Sequence, residues 1–377
     1  MPADSLPEPD AAARAASTAL CALIAQELER SGNWISFARY MELALHAPGL
    51  GYYASGSAKF GAAGDFVTAP ELGSLFARAL ARQVAELLEP GDAVLEFGAG
   101  SAALASALGD ALALRGVAAE YLILEPSAEL VARQRARLGE RARWIDTLPE
   151  SFRGVVIANE VIDAMPAHAL AWTSQGVFER GVCMNDGRLG WCDRPARGAV
   201  LGAARALGIP VEGRYESELN LAARAWVRTL AERLQHGAIL VIDYGFPAHE
   251  YYHPQRTTGT LMCHYRHRAH HDPFFYPGLQ DITTHVDFSA LAESAANAGL
   301  EVLGYTHQAQ FLINCGITDL LAEVDATDVT RYAPLAAQAQ MLLSPAEMGE
   351  LFKVIMLGRG IDATPLGFTS GDRTHTL

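Results

Sequence analysis

Residues 93–109, AVLEFGAGSAALASALG, close a short apolar run on two glycines one residue apart, Gly98 and Gly100, before an Ala/Leu-rich segment. Such glycines permit a tight strand-to-helix turn and let a ligand approach the backbone, while the helix that follows offers its first amides to an anion. A ligand-free turn in a core has the same look. A second apolar run, YLILEP, ends on Glu125. An acid at the carboxyl end of a parallel strand can accept both hydroxyls of a ribose; the alternative is a surface carboxylate. Gly98, Gly100 and Ala103 also satisfy the dinucleotide spacing G-x-G-x-x-G/A, so a NAD(P)-dependent oxidoreductase competes. Glu96 separates the two readings. A pyrophosphate would be repelled by a carboxylate just before the turn, whereas S-adenosyl-L-methionine brings an ammonium and a sulfonium that welcome one. Glu96, Gly98, Ala99, Gly100 and Glu125 are therefore read as cofactor-binding. Asp146, after a third apolar run, is added as an acceptor for an adenine amino group, with a helix cap as the alternative.

The segment VVIANEVIDAMP, 155–166, supplies Asn159, Glu160 and Asp163 at the end of a fourth strand, where ligands bind in open parallel sheets. Asn159 joins the cofactor set. Glu160 and Asp163 are the catalytic candidates, because a carboxylate ending an apolar strand is costly unless it meets a cation such as an incoming amine or guanidinium. Asn159 and Asp163 acting only as backbone caps is the competing reading.

These residues need a scaffold, and the rhythm after Asp92 provides one. Short apolar runs at Ala93–Phe97, Tyr121–Leu124, Arg143–Ile145, Val155–Ala158 and Ala238–Asp243 alternate with helical segments, the signature of a parallel sheet covered on both faces. Runs at Glu301–Tyr305 and Phe352–Leu357 close it. The expected fold is α/β and Rossmann-like, a mostly parallel seven-stranded sheet with helices on both faces, an N-terminal helical segment and insertions. The expected organisation is a disordered start (1–10), a helical and cofactor-covering segment (11–90), a core (91–170 and 236–244), an insertion containing a hairpin (171–235), a lid (245–286), the rest of the core (287–360) and a tail (361–377). Helices are expected at Ala11–Arg30, Phe37–Leu45, Leu221–Leu234 and Phe288–Ala298. The Gly- and aromatic-rich stretch from Ala47 to Glu71 reads as an ordered loop that folds over a nucleotide, or one that merely packs on the sheet.

Composition bounds the partners. With 377 residues and 50% hydrophobic content the chain can bury a large core. Its 29 Lys+Arg against 43 Asp+Glu, a formal charge of -14, disfavour a nucleic-acid partner. No run reaches the roughly 20 apolar residues of a membrane span. The acidic, proline-containing start argues against a leader peptide and for the cytoplasm. Cys21, Cys183, Cys192, Cys263 and Cys315 are odd in number and contain no CxxC, so neither a disulfide framework nor a zinc ribbon is expected. His264, His267, His270 and His271 with Cys263 invite a metal reading, but Arg266 and Arg268 would repel a divalent cation, and no metal is expected.

The segments GDFVTAPELGSLF (64–76), LEFGAGS (95–101), ANEVIDAMP (158–166), LVIDYGFPAHEYYHPQR (240–256), GTLMCHYRHRAHHDPF (259–274) and QDITTHVDF (280–288) closely resemble the MidA family of class I S-adenosylmethionine-dependent methyltransferases. The resemblance spans about residues 20–360 and departs at Ala102, where many methyltransferases carry a third glycine. It implies S-adenosyl-L-methionine as cofactor, S-adenosyl-L-homocysteine as product, and a protein-arginine acceptor, with a respiratory-complex subunit as the partner suggested by eukaryotic members. It also implies that Gly64, Asp65 and Thr68 lie beside the cofactor and that Pro70 and Glu71 open the next helix. The other function class consistent with it is a non-catalytic assembly chaperone on the same fold. A homo-oligomer is left open.

Overall fold

The computed structural model describes residues 6–55, 68–210 and 213–377. The chain divides into two compact units, each discontinuous in sequence: Val67–Ile162, Ala225–Pro247 and Asp287–Leu377 form one; Met1–Phe66, Asp163–Arg224 and Ala248–Val286 form the other.

The first unit is mixed α/β. Seven strands of its eight-stranded sheet follow one path, in the order Glu301–His307, Phe352–Arg359, Leu234–Phe246, Phe152–Asn159, Ala93–Phe97, Glu120–Leu124, Arg143–Trp144. The last five are mutually parallel, and the first two run antiparallel to their neighbours. Helices Ser74–Leu87, Ala103–Leu114, Ala128–Leu138 and Phe288–Asn297 belong to the same unit. The central strands are continuous apolar runs because parallel strands carry helices on both faces and must be buried twice. Val155–Ala158 and Ala238–Ile242 are buried throughout. Leu80, Val94, Leu108, Ile157, Leu240 and Met356 share one core cluster. Each such side chain contributes about 1.5–3 kcal/mol on burial. The path places the carboxyl ends of Ala93–Phe97 and Phe152–Asn159 side by side, with Glu120–Leu124 and Arg143–Trp144 to one side of the first of them and Phe152–Asn159 and Leu234–Phe246 to the other. That is the switch point at which open sheets hold ligands.

The second unit carries two antiparallel sheets. Five strands pair in one: Ile35–Ser36, Gly176–Asn185, His168–Thr173 and Arg214–Leu219 along a path, with Arg188–Pro195 beside Gly176–Asn185. The hairpin between the last pair turns on Asp186 and Gly187, both left-handed at φ 48° and 76°, the conformations of a two-residue turn matched to strand twist. Its register sets Gly181 opposite Cys192 and Cys183 opposite Gly190, so the two cysteines are diagonal neighbours, and they are disulfide-bonded. One disulfide thus stands where no disulfide framework was expected; its pairing comes from strand register, which cysteine spacing does not encode. Cys21, Cys263 and Cys315 are free.

A three-stranded sheet, Met262–Tyr265, Arg268–His270 and Asp281–Thr283, lies within the segment read from the sequence as a lid. Arg266 and His267 form its tight turn, with φ 47° and 60°, so His267 and His271 do not lie a helical turn apart. The segment is anchored by Glu218. That carboxylate is buried and accepts from Thr260 N and Oγ1 (2.8 Å each), Leu261 N (3.3 Å) and Tyr251 Oη (3.4 Å). Burial raises its pKa, and the hydrogen bonds oppose the rise. Helices Ala11–Arg30 and Phe37–His46 pack here through Leu20, Ile24, Phe37, Tyr40 and Met41. Among the described residues no helix is long and apolar enough to cross a membrane.

Glu218→Ala strands the Thr260 and Leu261 amides in a buried place, a loss of about 3 kcal/mol at the scale of unsatisfied buried donors. The expected outcome is a lower melting temperature together with faster limited proteolysis inside residues 248–261. Unchanged cleavage there would show that other contacts hold the segment.

Candidate active site

The turn after Ala93–Phe97 is held by backbone and side chains of the parallel-sheet unit. Gly98 N donates to Leu124 O (3.0 Å) and Ala102 N to Ala99 O (2.7 Å). Gly98, Gly100 and Ala102 take φ of 59°, 52° and 63°. Glycine tolerates that region freely; a Cβ on Gly98 would also touch Val161 Cγ2 at 3.4 Å. The left-handed Ala102 stands where the third glycine was missing and begins the helix Ala103–Leu114 without a side-chain cap. First-turn amides are thus left to other acceptors, which suits a carboxylate ligand. Ser101 Oγ donates to Glu71 Oε1, and Arg137 donates to Ser101 O (3.1 Å) and Oγ (3.3 Å). Thr68 O accepts Glu71 N (3.0 Å) at the start of the one-turn helix Ala69–Leu72, which contains Pro70 and Glu71; the longer helix begins at Ser74.

Glu125 is half-buried at the end of the second strand. Its Oε1 accepts Ser127 N (3.1 Å) and its Oε2 accepts Gln134 Nε2 (3.1 Å). Gln134 also donates to Gly100 O (3.0 Å) and accepts Trp144 Nε1 (2.8 Å). Sequence reading missed Gln134. Its signal was present, since Leu130, Gln134 and Leu138 form the buried stripe of Ala128–Leu138 and a polar residue in such a stripe has to be partnered.

Glu96 is buried, and Tyr121 Oη donates to its Oε2 at 2.5 Å. Desolvation raises its carboxyl from 4.5 to about 7; the Tyr121 hydrogen bond opposes this and the charge of Glu125 adds to it. The two acids therefore lie in each other's field, a situation a cationic ligand relieves.

At the end of the fourth strand Asn159 Nδ2 donates to Glu160 Oε1 (3.2 Å), while Asn159 Oδ1 is buried with no hydrogen-bond partner among the described residues. A buried amide oxygen in that state is an open acceptor for a ligand donor. Glu160 N donates to Ile242 O (2.9 Å), and Glu160 itself sits at φ 53°. A left-handed non-glycine residue costs about 1–3 kcal/mol and persists where the surroundings impose it, commonly at active sites. Asp243, which is buried, accepts Ile162 N (3.0 Å) and fixes the chain just beyond.

Not every expected residue joins this group. Asp146 is exposed just past Arg143–Trp144, and no helix starts there, so the cap alternative is removed. Asp163 belongs to the other unit, where it is buried, its Oδ1 accepting Ala164 N (2.8 Å) and its carbonyl accepting Thr284 N (3.0 Å). In that unit Asp281 is also buried and accepts Tyr53 Oη (2.9 Å). Asp287 caps the helix Phe288–Asn297. Gly64 and Asp65 lie outside the described residues. The Glu89, Asp92 and His236 side chains approach one another closely enough to invite a metal, but Arg153 already bonds both acids.

A glycine turn, a strand-end acid oriented beside it and an open amide acceptor suit a nucleoside joined to an amino acid. The family model of S-adenosyl-L-methionine-dependent methyltransferases matches residues 75–306. The chain belongs to this family. A methyltransferase candidate from Burkholderia thailandensis, solved with S-adenosyl-homocysteine bound, is 53% identical, with TM-score 0.95 over 99% of this chain and 100% of that one. The mitochondrial protein arginine methyltransferase NDUFAF7 of Danio rerio is 30% identical over 361 residues, covering 85% of this chain and 82% of that protein; its Mus musculus counterpart is 27% identical over 375 residues, covering 87% and 82%. The methyltransferase family read from the motifs is thereby shown, and the oxidoreductase alternative falls.

Two outcomes are expected of this site. Glu96 binds its proton more tightly folded than unfolded, so native stability falls as pH rises from about 4.5 through about 7, by about 3 kcal/mol at full ionisation. Glu96→Gln removes that fall: its urea midpoint should exceed wild type near pH 8 and coincide with it near pH 4.5, and an equal difference at both pH values would rule out the titration. Glu125→Ala should weaken S-adenosyl-homocysteine binding by well over tenfold, the loss of about 2–4 kcal/mol in charge-assisted hydrogen bonds. Calorimetric titration showing an unchanged Kd would place Glu125 outside the pocket.

Proposed function

We propose that this methyltransferase is a protein-arginine N-methyltransferase acting on a protein partner. The observation that carries the reading is Glu160, a half-buried carboxylate held in a left-handed conformation at the end of the fourth strand, beside the open acceptor of Asn159. Relatives named protein arginine methyltransferases cover more than four-fifths of the chain. A guanidinium stays protonated at any working pH, so it needs an anion to hold it and to take up the proton released as its nitrogen gains a methyl group. Glu160 is assigned that role and Asp163 that of the second acid.

S-adenosyl-L-methionine supplies an electrophilic methyl group when bound. Thr68, Glu96, Gly98, Ala99, Gly100, Glu125, Asp146 and Asn159 are assigned to hold it, together with Gly64 and Asp65. Ala99 contributes backbone only; Glu125 takes the ribose, Asn159 a donor of the amino-acid end, and Asp146 the adenine amino group. The chemistry then asks the protein for position, charge and a dry site rather than for covalent help. A cytoplasmic location and a respiratory-complex subunit as substrate complete the proposal, the latter by analogy alone.

Glu160→Gln keeps shape and hydrogen bonding but not the anion. It should leave cofactor affinity within about twofold and lower methyl transfer by about 10², the scale of a lost acid–base group. The measurement is transfer of labelled methyl to lysate protein, with mass spectrometry locating the modified side chain. Wild-type rates in the variant would make Glu160 structural; label on a residue other than arginine would replace the substrate class.

A further inference from the structure

Gln134 is fully buried in the apolar stripe of its helix, where a leucine would fill the space without polar cost. Every function of its amide is engaged: Nε2 donates to Gly100 O (3.0 Å) and Glu125 Oε2 (3.1 Å), and Oε1 accepts Trp144 Nε1 (2.8 Å). Its partners belong to the glycine turn, the end of the second strand and the third strand, three segments with no other reason to share one side chain. A planar amide with two donors and one acceptor is suited to that triple contact, and a buried network satisfied in this way fixes its members rigidly.

We propose that Gln134 is the positioning residue of ribose recognition: by holding one carboxylate oxygen of Glu125 while Ser127 N holds the other (3.1 Å), it sets the plane in which Glu125 meets a vicinal diol and locks that plane to the Gly100 carbonyl. This rests on the assignment of Glu125 to the ribose. Neutrality matters as much as shape. A lysine here would neutralise Glu125, and a glutamate would add a second charge to it.

The test is calorimetric titration of wild type, Gln134→Leu and Gln134→Glu with S-adenosyl-homocysteine and with its 2′,3′-dideoxy analogue, thermal unfolding serving as the check on folding. Wild type should prefer the diol-bearing ligand by more than about tenfold, the scale of a lost hydrogen bond to a charged group. Gln134→Leu should weaken that ligand by about tenfold or more while leaving the dideoxy analogue within about threefold, so that the preference collapses. Gln134→Glu should show a stronger diol preference near pH 6 than near pH 8.5, because its neutral acid donates to Glu125 and its anion repels it; wild type should not change in that sense. A folded Gln134→Leu that keeps the preference, or that loses both ligands alike, overturns the positioning role. If that variant does not fold, the Gln134→Glu profile decides, and one parallel to wild type overturns the proposal. A wild type that binds both ligands equally overturns the ribose assignment of Glu125, and with it this proposal, by a result distinct from the others.

Discussion

Gly98, Gly100 and Ala102 put three left-handed residues within five, at the place where the chain leaves the first parallel strand for the helix Ala103–Leu114. Such a turn has little intrinsic stability, and an alanine at φ 63° is unfavourable by itself. The rest of the parallel-sheet unit supplies what the turn lacks. Leu124 closes it by a backbone bond, Gln134 and Arg137 take the carbonyls of Gly100 and Ser101, and Glu71 takes the Ser101 hydroxyl. Once held, the turn exposes Gly98 and leaves helix amides without a side-chain cap. The result is a turn whose geometry is set before any ligand arrives, preorganised for the cofactor contacts proposed for it.

Electrostatics reinforce that arrangement. A chain with a net charge of -14 could be expected to keep acids at its surface, yet Glu96 is buried and Glu125 is half-buried beside it. Burial raises the carboxyl of Glu96, the Tyr121 hydrogen bond opposes the rise, and the charge of Glu125 adds a smaller, unfavourable push in the same direction. A sulfonium and an ammonium reverse the sign of that term. On the proposed assignment of both acids to the cofactor, charge alone favours a cationic ligand over a pyrophosphate.

Much of this was legible in the residues. The parallel strands announced themselves because double burial forces unbroken apolar runs, and Gly98, Gly100 and Glu125 stood at strand ends where position carries meaning. What was hidden was hidden for physical reasons. Arg214–Leu219 has the sequence RYESEL, whose charges look like a loop; they become a strand because Glu216 pairs with Arg180 and Arg214 with Asp193 across the sheet, while Glu218 finds buried donors. The sheet at 262–283 has strands of three and four residues, too short for any period to show. The Cys183–Cys192 bond depends on hairpin register, and Gln134 on contacts to three separate segments. Motif resemblance recovered the family where local pattern could not.

The hairpin Gly176–Pro195 bears on how the second unit folds. That unit is gathered from three stretches of chain, so the pairings of Ile35–Ser36 with Gly176–Asn185 and of His168–Thr173 with Arg214–Leu219 close long loops whose entropy must be met before contacts reward it. Local pairings stand beside them: Gly176–Asn185 meets Arg188–Pro195 across Asp186–Gly187, His168–Thr173 meets Gly176–Asn185 across Ser174–Gln175, and Met262–Tyr265 meets Arg268–His270 across Arg266–His267. Hairpins of that kind form in about 1–10 μs, far ahead of long-range pairing. The strand Gly176–Asn185 then serves as a template with both edges in use, taking Arg188–Pro195 on one side and His168–Thr173 on the other. Local hairpins of this kind close before the long-range pairings, and the residues Ile35–Ser36 pair with a strand that begins about 140 residues further along the chain.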